Sequence, residues 1–319
     1  MSTFEEAAKR LEQLRRAGVE VGRTESLPPS PAAVPAVEQR DAIAPRSNDS
    51  VANPVIARAQ PKKIAPQTRT VDAGRGKEAT LDLARMALGG FITPAAVRSR
   101  LADEFRVAKR PLLDNVRGPS GRTTEGMNLV MVTSALPGEG KTFTSINLAM
   151  TIAMELDSTV LLVDADVARP SILSALGLPP SPGLMDLLTN SSIGFGDVLL
   201  RTNVERLSIL PAGSPQQHAT ELLASQAMGN LVEGLSRRYS DRVILFDSPP
   251  LLPTTESRVL ATHMGQIVLV VAAHNTTHGA VHQAMDTIKN CPVVMTILNK
   301  ATRTEAASYY GYGNYGAAD

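Results

Sequence analysis

Six apolar runs of strand length alternate with helical patterns over the C-terminal part of the chain: NLVMVTS at 128–134, TVLLVD from 159, LSILP from 207, RVILFD from 242, QIVLVVA from 266 and PVVMTIL from 292. Their apolarity is continuous rather than alternating, which marks strands buried on both faces. Helices between such strands act as crossovers that join parallel neighbours. The pattern predicts a doubly wound α/β domain with a mainly parallel sheet, whose ligands bind at the carboxyl edge of the strands. No repeat of fixed period occurs, which removes solenoids and propellers.

A chain of 319 residues that is 43% hydrophobic can bury a core of that size. With 32 basic and 31 acidic residues the formal charge is +1, so the global field that marks a nucleic-acid or anionic-membrane binder is missing, and no nucleic-acid partner is expected. Cys291 is the single cysteine, which excludes a disulfide framework and a cysteine-built metal site; it reads as a small buried residue in a reducing compartment. The opening MSTFEEAAKRLEQLRR carries charge where a secretory signal needs an apolar core, and no run of about 18 apolar residues follows. The expected location is the cytoplasm.

Five segments follow from composition. Residues 1–18 read as an amphipathic helix, with Phe4, Ala7, Leu11 and Leu14 at helical spacing, Thr3 and Glu6 in a capping-box pattern and Gly18 as the stop. Residues 19–80, rich in Pro, Ala and Ser, read as a disordered linker. A helical lead-in over 81–125, helical from about Pro94 to Leu113, precedes the α/β domain at 126–300, and 301–319 is a flexible Gly- and Tyr-rich tail.

Directly after the first strand the chain reads ALPGEGKT and continues into a helical pattern. Glycines between a strand and a helix let backbone N–H groups approach phosphate oxygens, and the helix N-terminus adds its dipole. Pro137, Gly138, Glu139, Gly140, Lys141, Thr142 and Phe143 are therefore the expected nucleotide contacts, with Lys141 reaching the β- and γ-phosphates of ATP and Thr142 ligating Mg2+. Ala135 stands where such loops usually have their first glycine. The second strand ends VLLVDADVARP, which delivers Asp164 and Asp166 to the ligand edge. Two carboxylates beside a phosphate site repel unless a cation joins them, and one of them can take the proton of an incoming hydroxyl. Capping the following helix is the alternative role for either. RVILFDSPPLL places Asp247 at a third strand end as a further ligand of the metal shell, followed by Pro249 and Pro250, which stiffen the exit. The last strand ends TILNK, and its position assigns adenine recognition to Asn299 and Lys300. His274, His278 and His282 are spaced by four, but they straddle a strand-to-helix junction and no carboxylate cluster joins them, so they are read as no metal site.

Aromatic residues make up only 3% of the chain, yet Tyr309, Tyr310, Tyr312 and Tyr315 crowd its last eleven residues. Among glycines, without helical or strand spacing, they do not serve a core. A Gly-rich segment threads into a site at little steric cost, and a phenol accepts phosphate if a carboxylate takes its proton. Each phosphate adds nearly two negative charges, so a modified tail would leave an acidic site. A low-complexity adhesive segment is the alternative.

Taken in order, PGEGKT, DADVARP and FDSPPLL resemble the bacterial tyrosine kinases of polysaccharide synthesis and export, relatives of the MinD and ParA ATPases. The resemblance runs from about Ala102 to the C-terminus. LEQLRRAG, EFRVAKRPLL and the tail are similar to the branch of autokinases associated with exosortase systems. It implies an ATP-dependent protein-tyrosine autokinase with Lys141, Asp164 and Asp166 as catalytic residues, Thr142, Asp166 and Asp247 around Mg2+, and the four tail tyrosines as acceptors. It implies further that Asp103, Arg106 and Lys109 dock on a neighbouring subunit in a ring that phosphorylates tails between subunits. The implied partners are a separate transmembrane chain-length regulator, which would hold the protein at the inner membrane, and a cognate tyrosine phosphatase. Two places depart from the family pattern: the arginine expected after the acidic pair is displaced from Ala168 to Arg169, and the third basic position is Lys109. A switch ATPase of the MinD and ParA kind carries an extra lysine where this chain has Leu136. A regulatory pseudokinase, with Ala135 and Ala168 as marks of decay, is the third reading.

Overall fold

The fold comes from a computed structural model that describes residues 76–95, 99–118, 126–239 and 242–302. The helix expected over 1–18, most of the expected linker and the tail tyrosines lie outside the described residues. In chain order the elements are β1 (Lys77–Ala79), α1 (Leu83–Leu88), α2 (Arg100–Arg117), β2 (Leu129–Ser134), α3 (Lys141–Ala153), β3 (Thr159–Asp164), α4 (Ile172–Ala175), α5 (Leu184–Thr189) and α6 (Phe195–Val198). There follow β4 (Leu200–Thr202), β5 (Leu207–Leu210), α7 (Ala219–Leu223), α8 (Gln226–Arg238), β6 (Arg242–Asp247), α9 (Glu256–Ala261), β7 (Gln266–Ala272), α10 (His278–Ile288) and β8 (Val293–Asn299).

All these strands join one sheet in the order β1-β4-β5-β3-β6-β2-β7-β8, and every neighbouring pair is parallel except β4 with β5. Side chains alternate between two cores. Val130, Val132, Val160, Leu162, Leu245 and Val268 face one core, which α2 and α3 complete. Leu129, Met131, Leu161, Val163, Phe246 and Ile267 face the other, closed by residues of α8, α9 and α10. Covering both faces is what makes the inner strands read as unbroken apolar runs. The last run behaves differently: β8 is the sheet edge, with Thr296 exposed and Leu298 60% exposed, so it is not buried on both faces as its sequence predicts. At the other edge, residues 77–79, read as the end of the linker, form β1 beside β4, and Leu81 is buried.

The lead-in helix α2 starts where Ser99 Oγ accepts the Ala102 N–H, and it stops at Gly118, whose φ of 59° breaks the helical path. It runs past Leu113 through Pro111, which sits on the exposed side where water can replace the missing bond. Among the described residues, no helix is long and apolar enough to cross a membrane.

Candidate active site

β2 lies in the middle of the sheet between β6 and β7, and β6 lies next to β3, so the carboxyl ends of these strands meet at one edge. The loop leaving β2 turns through Gly138 at φ 80° and Gly140 at φ 98°, where an L side chain is strained. Space is a second constraint, because a Cβ on Gly140 would come within 2.0 Å of Asn299 Nδ2. Helix α3 begins at Lys141 without a side-chain cap, leaving its first-turn N–H groups for a ligand. The loop carbonyls are engaged from the flank instead: Lys300 Nζ donates to Gly138 O at 2.7 Å and Asn299 Nδ2 to Glu139 O at 2.8 Å.

The acids predicted from sequence come together. Asp164 and Asp247 are register partners across β3 and β6, and Asp247 is also opposite Val132 of β2. Lys141 Nζ meets Asp166 Oδ2 at 2.6 Å. Thr142 Oγ1 donates to Asp247 Oδ2 at 2.7 Å, and Ser145 Oγ donates to Asp247 Oδ1 at 3.0 Å. Asp164 Oδ2 accepts the N–H groups of Ser171 and Ile172, both at 3.1 Å, so it does cap the short turn that follows. Its other oxygen, Oδ1, is buried and has no partner among the described residues. Burial, then Asp247 and Asp166, push the Asp164 carboxyl up to about 7. Burial also pushes Asp247 up to about 6, against the pull of Lys141, Thr142 and Ser145.

A buried acceptor without a donor on Asp164, beside Asp247 and Asp166, fits a cation. No three His, Cys, Asp or Glu side chains form a complete metal cage among the described residues. Thr142, Asp166 and Asp247 offer instead the partial oxygen shell that Mg2+ takes when phosphates and water supply the rest. His274 lies in the turn after β7, and His278 and His282 are exposed on α10.

Three expected site residues have side chains that make structural contacts. Phe143 turns its ring into the core, with ring centroids 5.4 Å from Phe91 and 6.4 Å from Phe105. The Glu139 side chain is buried under the loop. Lys109 does not share the exposed face of Asp103 and Arg106, which pair with each other. It is 5% exposed, donates to Thr151 O at 2.7 Å and pairs with Glu155 at 2.5 Å, clamping α2 to the C-terminal end of α3. Sequence reasoning missed Ser145 and Ser171, whose hydroxyl lies 2.9 Å from Thr142 Oγ1. Ser145 was legible in principle, being one helical turn after Lys141.

A family model described as an AAA domain matches residues 127–300, more than half of the chain, which defines the class of protein to which this fold and loop belong. Tyrosine-protein kinase YwqD of Bacillus subtilis is 31% identical over 195 residues, covering 60% of this chain and 79% of that one. The VpsO kinase domain superposes with a TM-score of 0.54 at 30% identity, covering 64% of this chain and 97% of that one. The chain belongs to the bacterial tyrosine-protein kinase family. Some relatives are much longer: succinoglycan biosynthesis transport protein ExoP of Rhizobium meliloti is 32% identical over 67% of this chain, which spans 27% of that protein.

Proposed function

We propose that this protein is an ATP-dependent protein-tyrosine autokinase that phosphorylates Tyr309, Tyr310, Tyr312 and Tyr315 between subunits and thereby regulates exopolysaccharide polymerisation or export. The observation that carries the reading is the convergence of Lys141, Thr142, Asp164, Asp166 and Asp247 at one sheet edge, with the buried Asp164 Oδ1 left unpartnered among the described residues.

In this reading the loop N–H groups and Lys141 hold the β- and γ-phosphates, and Thr142, Asp166 and Asp247 hold Mg2+. The bound cation neutralises charge on the phosphate oxygens. Asp164, which this assignment leaves off the cation, takes the phenolic proton as the tyrosine oxygen bonds to the γ-phosphorus. The bond from that phosphorus to the β–γ bridging oxygen breaks, and ADP leaves with the electron pair. Asn299 and Lys300 border the base in this reading, which their bonds to the loop carbonyls support. The ring contact falls to the exposed Asp103 and Arg106, without Lys109. Family membership supports the tyrosine acceptor, and the name of ExoP, a succinoglycan biosynthesis transport protein, supports a role in polysaccharide synthesis and transport, for which a chain-length regulator is the proposed activator.

The test is to incubate the full chain with Mg-ATP, with and without a cytoplasmic fragment of that regulator, and to map phosphate by mass spectrometry. Tail phosphotyrosine is expected, falling by at least about 100-fold in Lys141→Met. ATP hydrolysis without phosphotyrosine in either tube would overturn the kinase reading.

A further inference from the structure

Glu139 is the acid of the phosphate loop, and the transfer chemistry above has no use for its side chain. It is 3% exposed. A carboxylate buried beside a phosphate site costs desolvation and repels the ligand, so its presence calls for hydrogen bonds that return something to the loop. Both of its oxygens have them. Oε2 accepts the Leu136 N–H at 2.8 Å, which bridges the mouth of the loop from its centre back to its entry. Oε1 accepts the hydroxyl of Thr276, in the turn after β7, the strand beside β2.

That hydroxyl is itself oriented. Thr276 Oγ1 accepts the Ala272 N–H at 3.1 Å, and the Thr276 N–H donates back to Ala272 O at 3.1 Å, so the hydroxyl proton is left for Glu139. The backbone of the same residue is held from the other side by Asn299 on Glu139 O. Glu139 is thus fixed at three atoms, two on its side chain and one on its backbone, between two glycines with positive φ. Those glycines give the loop the freedom to bend away from its ligand-binding shape, and the contacts on Glu139 remove it.

We propose that Glu139 is a positioning residue: with Leu136 N–H and Thr276 it forms a latch that holds the loop N–H groups convergent on the phosphate chain. The latch sets affinity for polyphosphate without touching it. This rests on the reading of residues 137–143 as the ATP phosphate site. Preorganised donors lose their advantage when the loop must be ordered at the moment of binding.

The test is calorimetric titration of the full chain with Mg-ATP and with Mg-tripolyphosphate, which has no base and reports on the loop alone. Thr276→Val and Glu139→Ala are expected to weaken both ligands by about tenfold, and by similar factors. Thr276→Ser is expected to bind like wild type, and the double variant no worse than Glu139→Ala, because the two residues act as one unit. Thermal melting of Thr276→Val and Thr276→Ser within about 2 °C of each other separates the latch from a general loss of fold. If Glu139→Ala does not fold, Thr276→Val against Thr276→Ser decides the matter. Wild-type affinity for both ligands in Thr276→Val overturns the latch alone, whereas a wild-type chain that binds neither ligand overturns the loop reading and the latch with it.

Discussion

At Asp164 three effects oppose the charged form: burial, Asp247 across the strand pair and Asp166 two residues on, and together they push its carboxyl up to about 7. An unfolded aspartate titrates near 3.8, so between about pH 4 and 7 the folded chain holds a proton that the unfolded chain has released. Stability from this group therefore falls as pH rises through that window, and Asp247, at about 6, acts with the same sign over a narrower one. Asp164→Asn keeps an acceptor for Ser171 and Ile172 and removes the charge. At pH 8 without nucleotide it is expected to gain on the order of 2 kcal/mol, or about 5 °C in Tm, while losing phosphotransfer. Melting curves at pH 5.5 and 8 check this; a wild-type-like pH dependence in the variant would sink it. Lys141, Thr142 and Asp247 were legible because each is marked by neighbours in the chain, a glycine loop or a strand end. Thr276 was not, since it meets Glu139 across 137 residues, and no local pattern tells which way a loop side chain points.

Helix α2 shows what periodicity settles and where it misleads. Its apolar positions mark a helix, and a helix forms, but residues spaced by three do not stay on one face. At about 100° per residue, Lys109 lies roughly 240° around from Asp103, among Phe105, Leu112 and Val116 on the buried side, whereas Arg110 lies only about 20° from Asp103. The structure agrees: Lys109 is buried and Arg110 exposed. Lys109 then serves α3, placing a cation at the C-terminal end of the helix whose N-terminus follows the glycine loop. Its ammonium also holds the Glu155 carboxyl below its ordinary value by hydrogen bond and charge, against the opposing effect of burial. Lys109→Ala leaves Thr151 O without this donor in a dry place and is expected to cost about 1–3 kcal/mol. Glu155→Gln, at a part-exposed position, should cost under about 1 kcal/mol. Urea midpoints would show the asymmetry; equal losses would mean that the ion pair rather than the carbonyl bond carries the contact. Arg106→Glu, which loses the exposed pair with Asp103, should cost under about 1 kcal/mol and alter the sedimentation of any oligomer. The three-residue strands β1 and β4 were illegible for a different reason, being too short to show a period of two.

For the whole molecule, the doubly wound plan was readable from the apolar runs, but the strand order was not, because it records which distant runs pair. That order decides where the tail begins. β8 lies beside β7 at the edge of the sheet, and its last residue, Asn299, is bonded with Lys300 to the loop of its own chain. From Thr302 to Tyr309 seven residues span at most about 25 Å. Length therefore does not forbid a tyrosine from returning to its own site. A tail from another subunit, the proposed route, avoids the loop-closure cost of returning to its own site. Mixing separates the two routes. One chain carries Tyr309, Tyr310, Tyr312 and Tyr315→Phe with the site intact; the other carries Lys141→Met with the tail intact. Phosphotyrosine is expected on the Lys141→Met chain, with an initial wild-type rate per chain that falls on dilution below the assembly concentration. An unmodified Lys141→Met chain, beside a wild-type rate per chain that does not change on dilution, would place the transfer within one chain and leave the proposed ring without a catalytic role.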